Sequence, residues 1–364
     1  MSASGFGAFD AELIATANAI AATGKGILAA DESTGTIGKR FDSIKLENNQ
    51  ENRRKYRELL FRTKGLGQYI SGCILFEETL FDVAQDGKTK LVELLQAENI
   101  AIGIKLDLGQ QPIAGAAQGE TATEGLDGLA KRCAAAYKQG ARFAKWRAVV
   151  VFDPKTGAPT QLAIDEQVRG LARYASICQA NGLVPVVEPE VLMDGAHTVQ
   201  QAAEVTQRVW ANQIKALADH HILLEGCLLK PNMVRHGEKC PTPASIEEIG
   251  FWTAKVLSNT IPPAIPGINF LSGGMSEEDA TLALNAINTC QVKKPWTLSF
   301  SYGRALQVTV LKVWQGKDEN VVKAQAALLH RAQVNSLACQ GKYTGSAVVD
   351  ASAKQSQFVA NYTY

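Results

Sequence analysis

The sequence lacks an excess of charge of either sign. Its 364 residues include 37 lysines and arginines against 36 aspartates and glutamates, so the formal net charge is +1. A protein that binds nucleic acid or a membrane surface mainly by electrostatics carries a clear basic excess. We therefore expect neither of these to be a partner of the chain.

Long apolar runs are missing as well. Twelve uncharged residues separate Glu12 from Lys25, and this stretch is too short and too rich in alanine to cross a bilayer. The residues before Glu12 do not have the basic region and apolar core of a signal peptide. We expect a cytoplasmic protein without membrane insertion.

Residues that commonly form disulfides or bind metals are few and scattered. The 7 cysteines contain no C-x-x-C pair, which is typical of a reducing compartment and not of a disulfide framework. Of the 5 histidines, only His220 and His221 are close in sequence. Neighbouring residues on a helix or strand point in different directions, which is poor spacing for metal ligands. The sequence predicts no metal centre.

What the sequence does contain is a regular alternation of short apolar runs and amphipathic helical patterns. The runs are KGILAADES, YISGCILFEET, IAIGIKLDL, RFAKWRAVVVF, LVPVVEPEV, ILLEGCLLKPN, GINFLSGGM and WTLSFSYG. Nearly continuous apolar strands indicate a parallel sheet covered on both faces. Eight strand-then-helix units favour a closed barrel over an open sheet.

The predicted fold is therefore a single (β/α)8 TIM barrel of the α/β class that spans residues 1–364. We expect a helical extension at 1–24, with its helix near 9–22, and a mobile tail at 342–364. The pattern at 304–340 is long enough for two helices. A rival cue is GKGILA, which fits a dinucleotide fingerprint. That fingerprint needs a strand before it and a helix after it, and the order here is the reverse.

Charged residues stand near the ends of several predicted strands, often two positions apart. They are Asp31, Lys105, Asp107, Lys145, Arg147, Glu188, Glu190 and Lys230. Strand residues two apart share a face, and in TIM barrels the chemistry lies at the carboxyl ends of the strands. We expect most of these side chains to meet in one cavity. The alternative is that some point outward and pair with the helices.

Lys230 closes the apolar run ILLEGCLLK, although lysine is rarely buried without a partner. A lysine near other cations and partly removed from water has its neutral amine favoured, and that amine can form a Schiff base with a carbonyl. Lys105 and Lys145 could supply the neighbouring charge, while Glu188 or Glu190 moves protons. On chemistry alone, Lys145 is a close rival as nucleophile. The plain alternative is that Lys230 ends a strand and points to water.

Two glycine-containing loops follow the seventh and eighth predicted strands. They contain Ser272, Gly273 and Gly274 in FLSGGMSEEDA, and Ser301, Gly303 and Arg304 in SFSYGRA. Glycines let backbone N–H groups approach an anion, and these two loops often hold phosphate in TIM barrels. The sequence predicts a phosphate site here, although SGG alone could be a simple turn.

A basic cluster lies on a predicted helix within NRRKYRELLFRTK. Its members are Arg53, Arg54, Lys55 and Arg57, with Glu51 and Glu58 nearby. We expect a solvated outer face. An acidic protein partner, such as a filament surface, is the alternative.

The motifs resemble those of class I fructose-1,6-bisphosphate aldolase. The matching segments are KGILAADESTGTIGKR, ARFAKWRAV, VPVVEPE, LLEGCLLKPNMV, FLSGGMSEEDA and SFSYGRALQ. The resemblance implies a homotetrameric barrel enzyme of glycolysis and gluconeogenesis. Such an enzyme reversibly cleaves fructose 1,6-bisphosphate into dihydroxyacetone phosphate and glyceraldehyde 3-phosphate, without metal or other cofactor. It also implies an alternative scaffold role, in which the protein binds actin or the acidic cytoplasmic tail of a membrane protein.

The resemblance also implies roles for individual residues. Lys230 matches the Schiff-base lysine, and Glu188 matches the acid/base that forms and dehydrates the carbinolamine. Glu190 and Lys145 match charged neighbours that tune the site. Asp31 matches the carboxylate that takes the proton from the fourth-carbon hydroxyl.

Further matches concern the tail and the phosphates. Tyr364 matches a terminal tyrosine that moves a proton at the third carbon, whereas the sequence alone predicts a disordered end. The residues matching the ketone-side phosphate site are Ser272, Gly273, Ser301, Gly303 and Arg304. Those matching residues at or near the other phosphate are Ser33, Thr36, Arg40 and Lys105, with Arg147 in the same region.

Overall fold

A computed structural model describes residues 7–345 and 351–360. Eight parallel strands close into a barrel in the order β1-β10-β9-β8-β7-β6-β3-β2. They are β1 Gly26–Ala30, β2 Ile70–Leu75, β3 Ala101–Lys105, β6 Ala141–Val150, β7 Val184–Val191, β8 Leu228–Leu229, β9 Gly267–Phe270 and β10 Thr297–Tyr302. A hairpin of β4 Gln110–Pro112 and β5 Thr121–Thr123 lies outside the barrel. The predicted TIM barrel is confirmed.

Helices surround the barrel and connect its strands. They are α1 Asp10–Ile20, α2 Thr34–Asp42, α3 Gln50–Phe61, α4 Glu77–Phe81, α5 Leu91–Ala97, α6 Leu129–Lys138, α7 Gln161–Ala180, α8 Val199–Asp219, α9 Ile246–Thr260, α10 Glu277–Thr289, α11 Arg304–Trp314 and α12 Val321–Cys339. The predicted N-terminal helix is α1, and α11 and α12 are the two helices predicted near the end. Within the described residues, no helix is long and apolar enough to cross a membrane.

Several of these helices begin where a hydroxyl side chain caps a free backbone N–H group. Thr160, Thr198, Ser245 and Ser276 each accept a hydrogen bond from the amide three residues further on. Such caps stabilise a helix start by about 1 kcal/mol each. They fix where α7, α8, α9 and α10 leave the strand-end loops, and so they help to shape the face of the barrel that carries the polar residues.

Alternation along the strands divides the buried residues into two clusters. One lies between the barrel and the helices. The other lies inside the barrel and joins Ile27, Phe143 and Leu228 to Leu13 and Ala17 of α1. The helix α1 thus closes the amino end of the barrel with apolar side chains. The interior is open to polar groups at the carboxyl end only.

We expect Gly103→Ala to lower the free energy of unfolding by about 1–3 kcal/mol, the usual cost of overpacking a core. A Cβ at this position on β3 would overlap the ring of Phe143 inside the barrel. Urea unfolding measures the change. Gly35→Ala on α2 is the control, since a Cβ there meets nothing within 4 Å. Equal unfolding free energies for the two variants would contradict this packing.

The basic cluster on α3 is not simply a solvated face. Arg57 is 3% exposed, and its Nη1 lies 2.6 Å from Oε2 of Glu32. The expectation of solvent exposure is therefore wrong for Arg57. The reason is that Glu32 follows Asp31 at the end of β1, so its side chain turns from the barrel interior toward the helices. A carboxylate buried there needs a cation, and α3 supplies one.

Candidate active site

Charged side chains meet inside the carboxyl end of the barrel. The strand register places Lys105 beside Lys145 and Arg147 beside Glu188. The backbone N–H of Lys230 donates to the carbonyl of Val187 at 2.8 Å, which continues β8 alongside β7. Side chains on neighbouring strands in this register share the inner face. The alternative of outward-pointing charges is wrong for Lys145, Glu188 and Lys230.

Glu188 is the centre of this cluster. Its Oε1 lies 3.3 Å from Nζ of Lys230, and its Oε2 lies 3.4 Å from Nζ of Lys145. The Lys145 ammonium also lies 3.0 Å from Oδ2 of Asp31. All four residues are at most 2% exposed. Two carboxylates thus face two lysines in a space almost closed to water, where each charge depends on its partners.

The electrostatics of the cluster keep Asp31 ionised. Burial alone would raise the pKa of Asp31, but the charges of Lys145, Lys230 and Lys105 outweigh it and lower the pKa to about 2. A carboxylate that remains charged at neutral pH can accept a hydrogen bond or a proton from a hydroxyl group.

Two more ion pairs lie near this cluster. Nζ of Lys105 lies 2.6 Å from Oδ1 of Asp107 and donates to the Asp107 carbonyl at 2.7 Å. Nε of Arg147 donates to Oε2 of Glu190 at 2.6 Å. Each cation is therefore held by a neighbouring carboxylate, so its position at the strand end is defined.

A cleft joins the lysine–carboxylate cluster to the two glycine loops. Its lining residues are Arg40, Arg147, Glu188, Glu190, Lys230, Leu271, Ser272, Gly273, Ser301, Gly303 and Arg304. The structure therefore brings the predicted Schiff-base lysine together with all five residues predicted for the ketone-side phosphate.

The second predicted phosphate group is not gathered in this cleft. Ser33 caps α2 and accepts from the Thr36 amide at 3.3 Å, while Thr36 lines a neighbouring cavity of about 1240 Å³. Arg40, which was assigned to this group, lines both that cavity and the cleft. Its Nη2 is 3.6 Å from the position that a Cβ on Gly303 would take. The reason is that α2 packs beside the start of α11.

Local backbone geometry explains the loop after β9. Gly273 and Gly274 have φ angles of 56° and 83°, in the left-handed region that favours glycine. This turn leads to Ser276, whose side chain caps α10. Ser301 reaches the same cleft from β10, and its buried Oγ has no hydrogen-bond partner among the described residues.

Part of the C-terminal segment lies over these loops. The amide of Gln357 donates to the Gly274 carbonyl at 2.8 Å, and Nη1 of Arg304 donates to the Gln357 carbonyl. Phe358 and Gly274 line a small pocket together. The position of Tyr364 lies outside the described residues, so its role and the mobility of the tail stay predictions.

Sequence reasoning missed three buried polar residues near the site. Glu32 is 2% exposed, and Asn232, also 2% exposed, accepts from the Val191 amide at 3.0 Å. Asn269 is fully buried on β9, and neither side-chain polar atom has a partner among the described residues. A signal existed for Glu32, since two adjacent acids at a strand end must point to opposite sides. The signal for Asn269 is its polar side chain in the otherwise apolar strand β9.

This arrangement defines a barrel enzyme with an amine nucleophile beside an anion site, suited to phosphorylated carbonyl compounds. A family model described as fructose-bisphosphate aldolase class-I matches residues 12–364. Fructose-bisphosphate aldolase 1 of Toxoplasma gondii is 59% identical over 353 residues, covering 97% of this chain and 96% of the relative. Cytosolic fructose-bisphosphate aldolase 5 of Arabidopsis thaliana is 57% identical over 360 residues, covering 98% and 99%.

A solved structure agrees with these relatives. The fructose-bisphosphate aldolase of Plasmodium falciparum, crystallised with TRAP and a small-molecule inhibitor, has a TM-score of 0.91 and 57% identity. The match covers 93% of this chain and 96% of that one. The chain belongs to the class I fructose-bisphosphate aldolase family. Class I enzymes work through a lysine Schiff base without metal, so that prediction is confirmed by the family assignment.

Proposed function

We propose that the protein reversibly cleaves fructose 1,6-bisphosphate into dihydroxyacetone phosphate and glyceraldehyde 3-phosphate, with Lys230 as the Schiff-base residue. The observation that carries this proposal is the position of Glu188 between Lys230 and Lys145, 3.3 Å and 3.4 Å away, in the cleft that also contains the two glycine loops. A sugar phosphate bound at the loops would bring its carbonyl to these groups.

The ion pairs favour Lys230 over Lys145 as the nucleophile. Lys145 faces two carboxylates, Asp31 and Glu188, which both stabilise its ammonium form. Lys230 faces Glu188 as its one acidic partner within 4.0 Å among the described residues. A neutral amine is the form that attacks a carbonyl.

The reaction then follows from the positions of these groups. The Lys230 amine attacks the second carbon, and Glu188 transfers the protons that let water leave and the iminium form. Asp31 takes the proton of the fourth-carbon hydroxyl, the C3–C4 bond breaks, and its electrons pass into the iminium to give an enamine. The aldehyde product leaves. Protonation at the third carbon, predicted for Tyr364, and hydrolysis release the ketone and restore the amine.

Each phosphate has a candidate site. The ketone-side phosphate is assigned to Ser272, Gly273, Ser301, Gly303 and Arg304. The N-terminus of α11 favours an anion there, as does the Ser301 hydroxyl, which has no partner among the described residues. The second phosphate is assigned to Ser33, Thr36, Arg40 and Lys105, with Arg147 nearby. Arg40 lines both the cleft and the cavity that contains Thr36.

Borohydride trapping tests the assignment. Reduction in the presence of fructose 1,6-bisphosphate should fix the substrate carbon to Lys230, equally with and without EDTA, and peptide mapping locates the adduct. An adduct on Lys145 would overturn the choice of nucleophile while leaving the reaction class intact. No adduct, or activity lost with the chelator, would contradict the proposed mechanism as a whole.

The remaining proposals concern the setting of the enzyme. We assign it to the cytoplasm, to glycolysis and gluconeogenesis, and to a homotetramer, in keeping with its family. The scaffold role, with actin or an acidic cytoplasmic tail as partner, stays a prediction. If an acidic peptide shares the substrate site, the bisphosphate will displace it.

A further inference from the structure

The carboxylate of Glu32 is held between two arginines from two different helices. Its Oε2 lies 2.6 Å from Nη1 of Arg57 on α3, and its Oε1 forms an ion pair with Arg40 on α2. Gln307 of α11 also donates to Oε1, at 3.2 Å. Burial raises the pKa of Glu32, but the charges of Arg40 and Arg57 outweigh it and hold the pKa below its usual value. Glu32 is therefore ionised, and both arginines compensate its negative charge.

The two arginines differ in their exposure and in their other contacts. The Arg57 side chain is 4% exposed, and its Nη2 also donates to the Glu32 carbonyl at 3.3 Å, so it is fixed to the strand end. The Arg40 side chain is 13% exposed and lines the catalytic cleft beside Gly303. One guanidinium is part of the framework, while the other lies at the border of the proposed phosphate site.

We propose that Arg57 is a positioning residue that neutralises Glu32 and thereby allows Arg40 to turn from Glu32 to a phosphate of the substrate. This inference rests on the proposed function. A buried carboxylate whose single cation departs is left uncompensated, which costs several kcal/mol. With Arg57 in place, Glu32 keeps a cation when Arg40 turns to the phosphate. Without Arg57, Glu32 retains Arg40, and the phosphate loses a charged donor.

The test is a comparison of KM and kcat for fructose 1,6-bisphosphate. In Arg57→Met we expect KM to rise about tenfold to a hundredfold, because the phosphate loses one hydrogen bond from a charged donor. We expect kcat to stay within about threefold of the native value. Adding Glu32→Gln removes the charge that retains Arg40. The double variant should therefore recover most of the native KM, although it carries two changes in the core.

Arg53→Met is the matched control. Arg53 lies on the same helix and binds the carboxylate of Glu78 at 2.7 Å, but it does not line the cleft. Its KM should stay at the native value. An Arg57→Met enzyme with the KM of the control would overturn the proposal. So would a raised KM that Glu32→Gln does not relieve, because that result indicates general structural support.

The proposal can still be tested if the Arg57→Met variant does not fold. If circular dichroism shows that Arg57→Met is unfolded, the KM of the single variant Glu32→Gln tests the proposal. Its KM should equal the native value or fall below it, because Arg40 is no longer retained, and a tenfold rise would overturn the proposal. Failure of the proposed function would look different, since the native enzyme itself would not turn over the bisphosphate.

Discussion

Lys230→Met is expected to reduce kcat by at least about 10⁴-fold, because the side chain that forms the covalent intermediate is gone. Methionine has a similar length and fills the space at the end of β8. In this variant the Lys145 ammonium still lies 3.4 Å from Glu188, so the buried carboxylate keeps a cationic partner. The fold should therefore survive, and borohydride should trap no substrate. Steady-state kinetics and circular dichroism measure the two effects.

The matched control is Lys25→Met. Lys25 precedes β1 at the amino end of the barrel, where its Nζ donates to the Gly67 carbonyl at 2.6 Å. Its removal costs a hydrogen bond far from the cleft and should leave kcat unchanged. Activity of Lys230→Met within tenfold of native would contradict the central assignment. Loss of activity with loss of structure would indicate that the Glu188–Lys230 pair is needed for folding.

Glu188→Gln is expected to reduce kcat by about 10²–10⁴-fold, the usual contribution of a positioned acid or base. Glutamine keeps the shape of the side chain between Lys145 and Lys230 but cannot carry protons between the carbonyl oxygen and the amine. Carbinolamine formation and dehydration should both slow. The rate of borohydride trapping in a single turnover should therefore fall together with kcat, while the trapped residue remains Lys230.

Glu120→Gln controls for the loss of a buried glutamate. Glu120 is 2% exposed and accepts hydrogen bonds at 2.7 Å from the amide and the hydroxyl of Thr160, outside the cleft. This variant should lose stability and keep its kcat. If Glu188→Gln instead trapped substrate at the native rate but turned over slowly, the carboxylate would act in a later step, after the Schiff base has formed.

Some of this site is visible in the sequence because it depends on local periodicity. Lys145 and Arg147, or Glu188 and Glu190, share a face wherever the strand lies, since strand side chains alternate. The two proposed phosphate loops are predicted from glycines close to serines after the last two strands. The unusual end of ILLEGCLLK is likewise a local signal, since a lysine after eight mostly apolar residues needs a partner.

Other features depend on contacts between segments far apart in the chain. Arg57 has the sequence environment of a solvent-exposed helix, and only the packing of α3 against the end of β1 places it beside Glu32. Arg40 approaches Gly303 because α2 lies beside α11. The choice between Lys230 and Lys145 also required distances, because one faces a single carboxylate and the other faces two.

The sequence by itself determined the barrel, the polar end of its strands and the two glycine loops. Each of these features depends on the spacing of residues within one segment: the period of two in strands, the apolar face of helices, and the glycines of turns. The tertiary structure decided the strand register, the closure of the amino end by α1, and the pairing of each charge. The physical reason is that an ion pair depends on separation in space, and residues 25 positions apart, such as Glu32 and Arg57, meet only when the chain has folded.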